Sequence, residues 1–318
     1  MTQYQFVGVD VAKDKFDVAL EINKKFHQEC FSNDRKGYQA FLKWLNRFTS
    51  RPWVCMEATG HYSELIADYL SSRQIRASVV NPLQIKNFSR ARLSRNKTDQ
   101  LDARMIAVYC EMMLPRTFQP RSDSHKELKD LSNLLAMLKA QHTQLSNQLH
   151  GAQSDTARKT IRKLIKALEK EIERVENLIA EIIKGNKELN ENMELITSIK
   201  GVGKLTAYKI LSHVPSINNF GNAKQFAAFI GISPRQHQSG NYQGKTTISR
   251  LGNPALRKAF YMAAMVAKRF NERLQPFVAR LQKNGKAPKS IICAVMRKLA
   301  HLVFGVLKNK RPFDVNYA

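Results

Sequence analysis

Three runs of alternating apolar and polar residues open the chain: YQFVGVD over 4–10, DKFDVALE over 14–21 and KFHQECF over 25–31. A period of two marks strands, so the spacing predicts a three-stranded meander. The first run is nearly continuous in apolar residues up to Asp10, which suits a central strand buried on both faces. Helix and strand signals then alternate. Asn33–Asp34 offers a cap for a helix over about 35–48, with Tyr38, Phe41, Leu42, Leu45 and Phe48 on one face. Pro52 opens a short buried run, WVCMEA, that carries Glu57 near its end. After Gly60 come a helix over about 62–72, a strand near 76–80 and a basic stretch from Lys86 to Lys97. A further helix starts near Thr98 and carries Asp99 and Asp102. Strands first, then alternating helix and strand, predict an α/β mixed sheet flanked by helices over 1–120.

From residue 124 the pattern changes. Ile161, Ile165, Leu168, Ile172, Val175, Ile179 and Ile182 step by four and three, the seam of a coiled coil. An earlier helix offers Leu128, Leu131, Leu135, Leu138, Leu145 and Leu149, with a break near Gly151–Asp155. Residues 121–190 therefore read as a helical hairpin, or as arms that pair between subunits, serving as spacer and dimerisation element. Residues 191–318 read as a mainly α domain. In it, Gly201-Val202-Gly203 lies between two helical runs, as in a helix–hairpin–helix turn whose backbone amides hold a phosphate. A polar loop from Ile232 to Gly252 precedes basic amphipathic helices over about 254–270 and 288–308.

The formal net charge of +26 is unevenly spread. Residues 1–120 contribute +6, residues 121–190 contribute +3, and residues 191–318, with 21 Lys/Arg against 4 Asp/Glu, contribute +17. The last segment reads as a grip for a phosphate backbone, and it is too poor in carboxylates to build a hard-cation site unaided. Lys97, Lys200, Lys204, Lys245 and Arg250 are the candidate nucleic-acid contacts. No membrane partner is expected, since residues 289–308 are broken by Lys289, Arg297, Lys298, His301 and Lys308. MTQYQFVGVD reads directly as a strand, not as a signal peptide. Cys30, Cys55, Cys110 and Cys293 form no C-x-x-C pair, which argues against a local zinc ribbon and makes a reducing compartment the default.

Against this basic background, Asp10, Glu57, Asp99 and Asp102 need a reason. Asp10 and Glu57 fall at strand ends that can be neighbours in a mixed sheet. Asp99 and Asp102, three apart, share a helix face. If that helix crosses the sheet at those ends, four oxygen donors converge. Clustered carboxylates repel unless a cation is bound, which suits Mg²⁺ or Mn²⁺. Two such ions about 3.5–4 Å apart activate the attacking oxygen and stabilise the leaving one in phosphoryl transfer. Taken singly, each acid is more often a cap or a surface charge, and Asp14 and Asp17 are nearby competitors ranked below Asp10.

The segments GVDVAK (8–13), MEATG (56–60) and KTDQLDA (97–103) resemble the DEDD motif of the RuvC-like transposases of insertion-sequence family one-ten, which includes the Piv DNA invertases. PRQHQSG (234–240) and GKTTISRLGNPALRKA (244–259) resemble that family's second signature domain, and the closing basic helices look most like its eleven-eleven branch. The resemblance covers nearly the whole chain. It implies an N-terminal RuvC-like (RNase H-type) α/β fold with Asp10, Glu57, Asp99 and Asp102 holding Mg²⁺. It also implies that Ser239 is a nucleophile forming a covalent phosphoserine link to DNA. Further expectations are a bridge RNA pairing with the element's ends and target DNA, a homo-oligomer (dimer or dimer of dimers) with acids and serine drawn from different subunits, and a bacterial cytoplasmic, nucleoid-associated location. From the residues alone, Ser-Gly in a polar loop reads as a turn, and no His–Asp partner lies nearby to activate the hydroxyl. A metal-bound phosphate would lower the demand for such a base. Two other readings stay open: a RuvC-like endonuclease cutting branched DNA with the acids alone, and a non-catalytic nucleic-acid scaffold.

Overall fold

The computed structural model describes residues 4–92, 98–236, 238–239, 242–244 and 246–314, and it divides into two compact units, Met1–Pro120 and Arg121–Ala318.

The first unit is built on a five-stranded sheet. Its strands are β1 (Gln5–Val11), β2 (Lys15–Ile22), β3 (Lys25–Ser32), β4 (Pro52–Glu57) and β5 (Arg76–Val80), in the order β3-β2-β1-β4-β5. The meander pairs antiparallel, and β1–β4 and β4–β5 pair parallel, so the sheet is mixed as the alternation predicts. Asn23 and Lys24 both take positive φ (51° and 64°), the conformation of a tight hairpin turn whose twist matches its strands. Helix α1 (Arg35–Leu45) starts at Asp34, whose carboxylate accepts from the Gly37 amide at 2.7 Å, and it stops a turn short of the expected Phe48. Helix α2 is His61–Ser72. Val7, Val9, Val54 and Met56 point to the face packed by Phe41, Leu45, Ile66 and Leu70 of these two helices.

The opposite face receives α4 (Asp99–Met113). Strand register aligns Gln28, Ala19, Gly8, Cys55 and Ser78 in one row across all five strands. All but Gln28 are small, which leaves a trough for the helix. An added Cβ at Gly8 would fall inside the van der Waals envelope of the Ala103 carbonyl and the Ala107 amide. At the end of the row, Gln28 accepts from the Arg104 guanidinium and donates to the Gln100 carbonyl at 2.9 Å, fixing the first turns of α4. The basic stretch that begins at Lys86 starts inside a helix not expected there: α3 spans Pro82–Ala91, started by Asn81, whose side chain accepts from Leu83 N at 2.9 Å, and residues 93–97 lie outside the described residues. Beyond α4, residues 115–118 run beside β5. Phe118 N donates to Ala77 O at 2.7 Å, and the Arg76 guanidinium donates to Thr117 Oγ1 at 3.1 Å.

The second unit opens with two long helices, α5 (Asp123–Gly151) and α6 (Asp155–Gly185), joined by a three-residue turn into the expected hairpin. Leu128, Leu135, Val175, Ile179 and Ile183 join one core with the helices that follow, so 121–190 is not separate from 191–318 in packing. Ile161, Ile165 and Leu168, toward the tip of the seam, are only half buried. Then come α7 (Lys187–Thr197), α8 (Lys204–His213), a 3₁₀ turn at Ile217–Asn219 and α9 (Ala223–Ile230). The polar loop forms a narrow β finger: β6 (Pro234–Arg235) pairs with β9 (Thr247–Ile248), and β7 (Gln238–Ser239) pairs with β8 (Tyr242–Gln243). Arg257 ties the base of the finger, donating to Ile230 O at 3.2 Å and Arg250 O at 3.1 Å. Helices α10 (Pro254–Phe270), α11 (Gln275–Lys283) and α12 (Pro288–Asn309) close the chain. Among the described residues, α12 is the one helix long and apolar enough to cross a membrane. Its Ile291, Val295, Leu299 and Val303 are instead part of the core of this unit.

Candidate active site

Two residues beyond the row of small side chains, the same register builds a row of acids. Asp10 pairs with Asp17 across β1–β2. Val9 pairs with Met56, so Asp10 and Glu57 stand side by side at the carboxyl ends of parallel neighbours β1 and β4. All three lie on the α4 face, because Gly8 and Cys55 do and side chains alternate along a strand. Ala103 sits over Gly8, which puts the preceding turn of α4, with Asp99 and Asp102, over the acid row. Thr98 caps that turn, its hydroxyl accepting from Leu101 N at 3.3 Å, and the positive end of the helix dipole favours both carboxylates there.

The electrostatics follow from that crowding. Asp10 has its pKa pushed up from 3.8 to about 6, first by burial and then by the charges of Asp102, Asp99, Glu57 and Asp17. The Lys15 ammonium answers two of these acids, bonding Asp17 at 3.0 Å and Asp99 at 3.1 Å, and those two hydrogen bonds raise its own pKa. Among the described residues, no three or more His, Cys, Asp or Glu side chains converge tightly enough to hold a metal ion as they stand. The donor set nevertheless fits a hard divalent cation. Every donor is a carboxylate oxygen, and a lysine already sits where positive charge is needed. Asp17, ranked below Asp10 in the sequence reading, belongs to this cluster and is only 7% exposed. The signal for it was the length of the β1–β2 turn, which sets the register and brings residue 17 opposite residue 10.

The raised pKa has a consequence for stability. Between about pH 4 and pH 6 the folded chain keeps a proton on Asp10 that the unfolded chain has released, so stability is lost as pH rises through that window. In chelator, Asp10→Asn is therefore expected to unfold at higher urea than the unsubstituted protein at pH 7, with the gap closing toward pH 4. A gap that does not change with pH would mean that Asp10 is not crowded by its neighbours.

The remaining candidates lie elsewhere. Ser239 is in the second unit, on β7, paired with Tyr242 of β8. Lys200 is engaged with Glu272 in an ion pair, and the Gly201–Gly203 turn beside it leads into α8, with Gly201 at φ 100° packed on Ala267. Lys204 is exposed at the start of α8, and Arg250 is exposed at the base of the finger. Lys97 and Lys245 lie outside the described residues.

Residues 7–157 match a family model described as "Transposase", of the DEDD type, and residues 193–279 match one described as "Transposase IS116/IS110/IS902 family". The chain is 32% identical to the pilin gene-inverting protein of Moraxella bovis over 317 residues, covering 97% of each. It belongs to the IS110 family. The transposase for insertion sequence element IS1111A of Coxiella burnetii is 26% identical over 81% of this chain and 76% of its own. The transposase for IS1328 of Yersinia enterocolitica is 21% identical over 99% and 100%. As an IS110-family member the protein is a DNA transposase or recombinase; the first matched segment covers the acid-bearing unit and continues through α5 into α6, and the second lies within the helical unit and includes the finger.

Proposed function

We propose that this recombinase cuts and rejoins DNA strands with a magnesium-binding carboxylate site and a serine nucleophile, and that a bridge RNA selects the sites. The observation that carries the reading is the crowding of Asp10 by Asp102, Asp99 and Glu57, four acids remote along the chain that one helix and two strand ends bring together. The sheet order β3-β2-β1-β4-β5, with α4 across it, supports a RuvC-like fold for residues 1–120.

Mg²⁺ (or Mn²⁺) held by Asp10, Glu57, Asp99 and Asp102 would supply Lewis-acid stabilisation of the charge that builds on the phosphate. Asp17 would keep Lys15 as its partner when the ammonium leaves Asp99. The Ser239 hydroxyl attacks phosphorus, the O–P bond forms, and one P–O ester bond to deoxyribose breaks. The serine proton is lost to solvent or a nearby base, and the departing sugar oxygen gains one. Rejoining reverses the step with a sugar hydroxyl from another strand as attacker. The +17 charge of residues 191–318 supports a polyanion grip in that segment. Action as a homo-oligomer, dimer or dimer of dimers, and a cytoplasmic, nucleoid-associated location complete the reading.

Asp102→Ala tests it. Strand cleavage on element-end DNA should fall roughly a thousandfold or more, the range for losing a charge-stabilising group in phosphoryl transfer, with DNA affinity kept within a few-fold. Chelation of divalent cations should do the same to the unsubstituted protein. Full recombination by Asp102→Ala would remove the acids from the mechanism, and full recombination in rigorously RNA-free reactions would remove the guide.

A further inference from the structure

The finger that carries Ser239 also walls a cavity. It has a volume of about 720 Å³ and is closed on its other sides by α11 and α12, a size that takes a small organic ligand. Ile232 and Ile248 at the finger's base, with Leu281 of α11 and Ala294 of α12, give it an apolar floor. Lys286, Lys289, Arg297 and Lys298 also line it, and among the described residues no Asp or Glu does. An apolar slot whose charged lining residues are all basic selects a flat apolar group that carries negative charge beside it. Phe277 lies in the lining, with the Lys298 ammonium 5.4 Å and the Arg280 guanidinium 5.6 Å from its ring centroid. His301 lines the same cavity, and its Nε2 is buried with no hydrogen-bond partner among the described residues.

We propose that this cavity takes an unstacked base of single-stranded DNA flanking the scissile phosphate, with the neighbouring phosphates on its lysines and arginine. The assignment of the flanking position rests on Ser239 being the attacking group, since the finger is what links serine to cavity. Stacking on an aromatic ring tolerates any base, because every base has a π face, while the polar edge of the base needs a partner at depth. His301 can serve there. Burial lowers its pKa, with Arg297, Lys298 and Lys224 adding to the effect, so the ring is neutral and can donate or accept. Holding one nucleotide out of the stack would fix the register of the adjoining phosphodiester without reading sequence.

The test uses full-length Ser239→Ala protein without divalent cation, so that no strand breaks, and fluorescence anisotropy on partly single-stranded DNA. Ala294→Trp, which fills the cavity from α12, should weaken binding about tenfold, and Phe277→Ala by a similar factor, the effect of losing one stacked base. On DNA made abasic at the flanking nucleotide, both substitutions should have no effect. Lys289→Ala should weaken intact and abasic strands alike. The proposal is overturned if the Trp and Ala variants weaken both strands equally or neither, or if the base-dependent loss occurs with RNA oligonucleotides and not with DNA. Adduct formation by the protein with Ser239 intact is scored separately on the same DNA. Base-dependent binding without any adduct sinks the serine reading and leaves the cavity standing. Adducts with unaltered binding by Ala294→Trp do the reverse.

Discussion

Ser239→Ala is expected to bind DNA with unchanged affinity and to form no covalent protein–DNA adduct, with recombination down by at least roughly ten-thousandfold, as when an enzyme loses its nucleophile. The assay is a labelled element-end DNA incubated with Mg²⁺, denatured and run beside a protease-treated sample, where a protease-sensitive slow band is the adduct. The substitution removes one hydroxyl oxygen and leaves the backbone groups as they are. The residue sits in a two-residue strand pair, and backbone bonding holds that pair whatever the side chain. What makes the expectation sharp is the chemistry. A serine without a neighbouring His–Asp relay is a poor nucleophile at neutral pH, so it attacks only where the phosphate's charge is already neutralised. Adduct formation should therefore vanish equally in Ser239→Ala and in Asp102→Ala. An adduct that survives Ser239→Ala, or cleavage that proceeds at full rate without one, would hand the reaction to the carboxylates alone, as in an ordinary nuclease.

Gly8→Ala should be strongly destabilising to the first unit and should disturb its acid cluster as well. The glycine lies where α4 crosses β1, and the new Cβ would run into the backbone of Ala103 and Ala107, not into a side chain able to rotate away. Overpacking of this kind typically costs 1–3 kcal/mol, and a rigid backbone contact belongs at the top of that range or beyond, about 3 kcal/mol. The same displacement carries Asp99 and Asp102 away from Asp10, so cleavage should fall much further than the unfolded fraction explains. Gly151 and Gly185 provide the control. An added Cβ meets nothing within 4 Å at either, and alanine there should be neutral or stabilising by up to about 1 kcal/mol through helix propensity. Thermal unfolding of the three variants separates the cases. A Gly8→Ala protein that melts with the unsubstituted one would mean that α4 does not lie on the trough.

The legible parts of the fold are those written in local pattern. Strict alternation gave β1 to β3 within a residue or two, and the Thr98 cap before Asp99 gave α4 its start. The amphipathic pattern over about 254–270 matches α10. Helix α3 was missed because its basic residues outweighed an equally clear Asn81-Pro82 start signal. Short helices α9 and α11 carry too few turns for periodicity to stand out. The acid cluster was only half legible. Each carboxylate could be ranked by its place at a strand or helix end, but Asp17 joins through antiparallel register and Lys15 through its bonds to Asp17 and Asp99. The small row Ala19, Gly8, Cys55 and Ser78 draws one residue from each of four strands, so no window of sequence contains it.

The segment 115–118 lying along β5 has a practical meaning for anyone isolating the first unit. β5 is a terminal strand of its sheet, and an open edge invites the edges of other molecules to add on, the usual route to insoluble aggregates. Here the connector itself plugs that edge through the Phe118 amide and the Thr117 hydroxyl. A shortened gene product must keep the chain through Pro120. Cutting at the end of α4 would trade a soluble fragment for a sticky one.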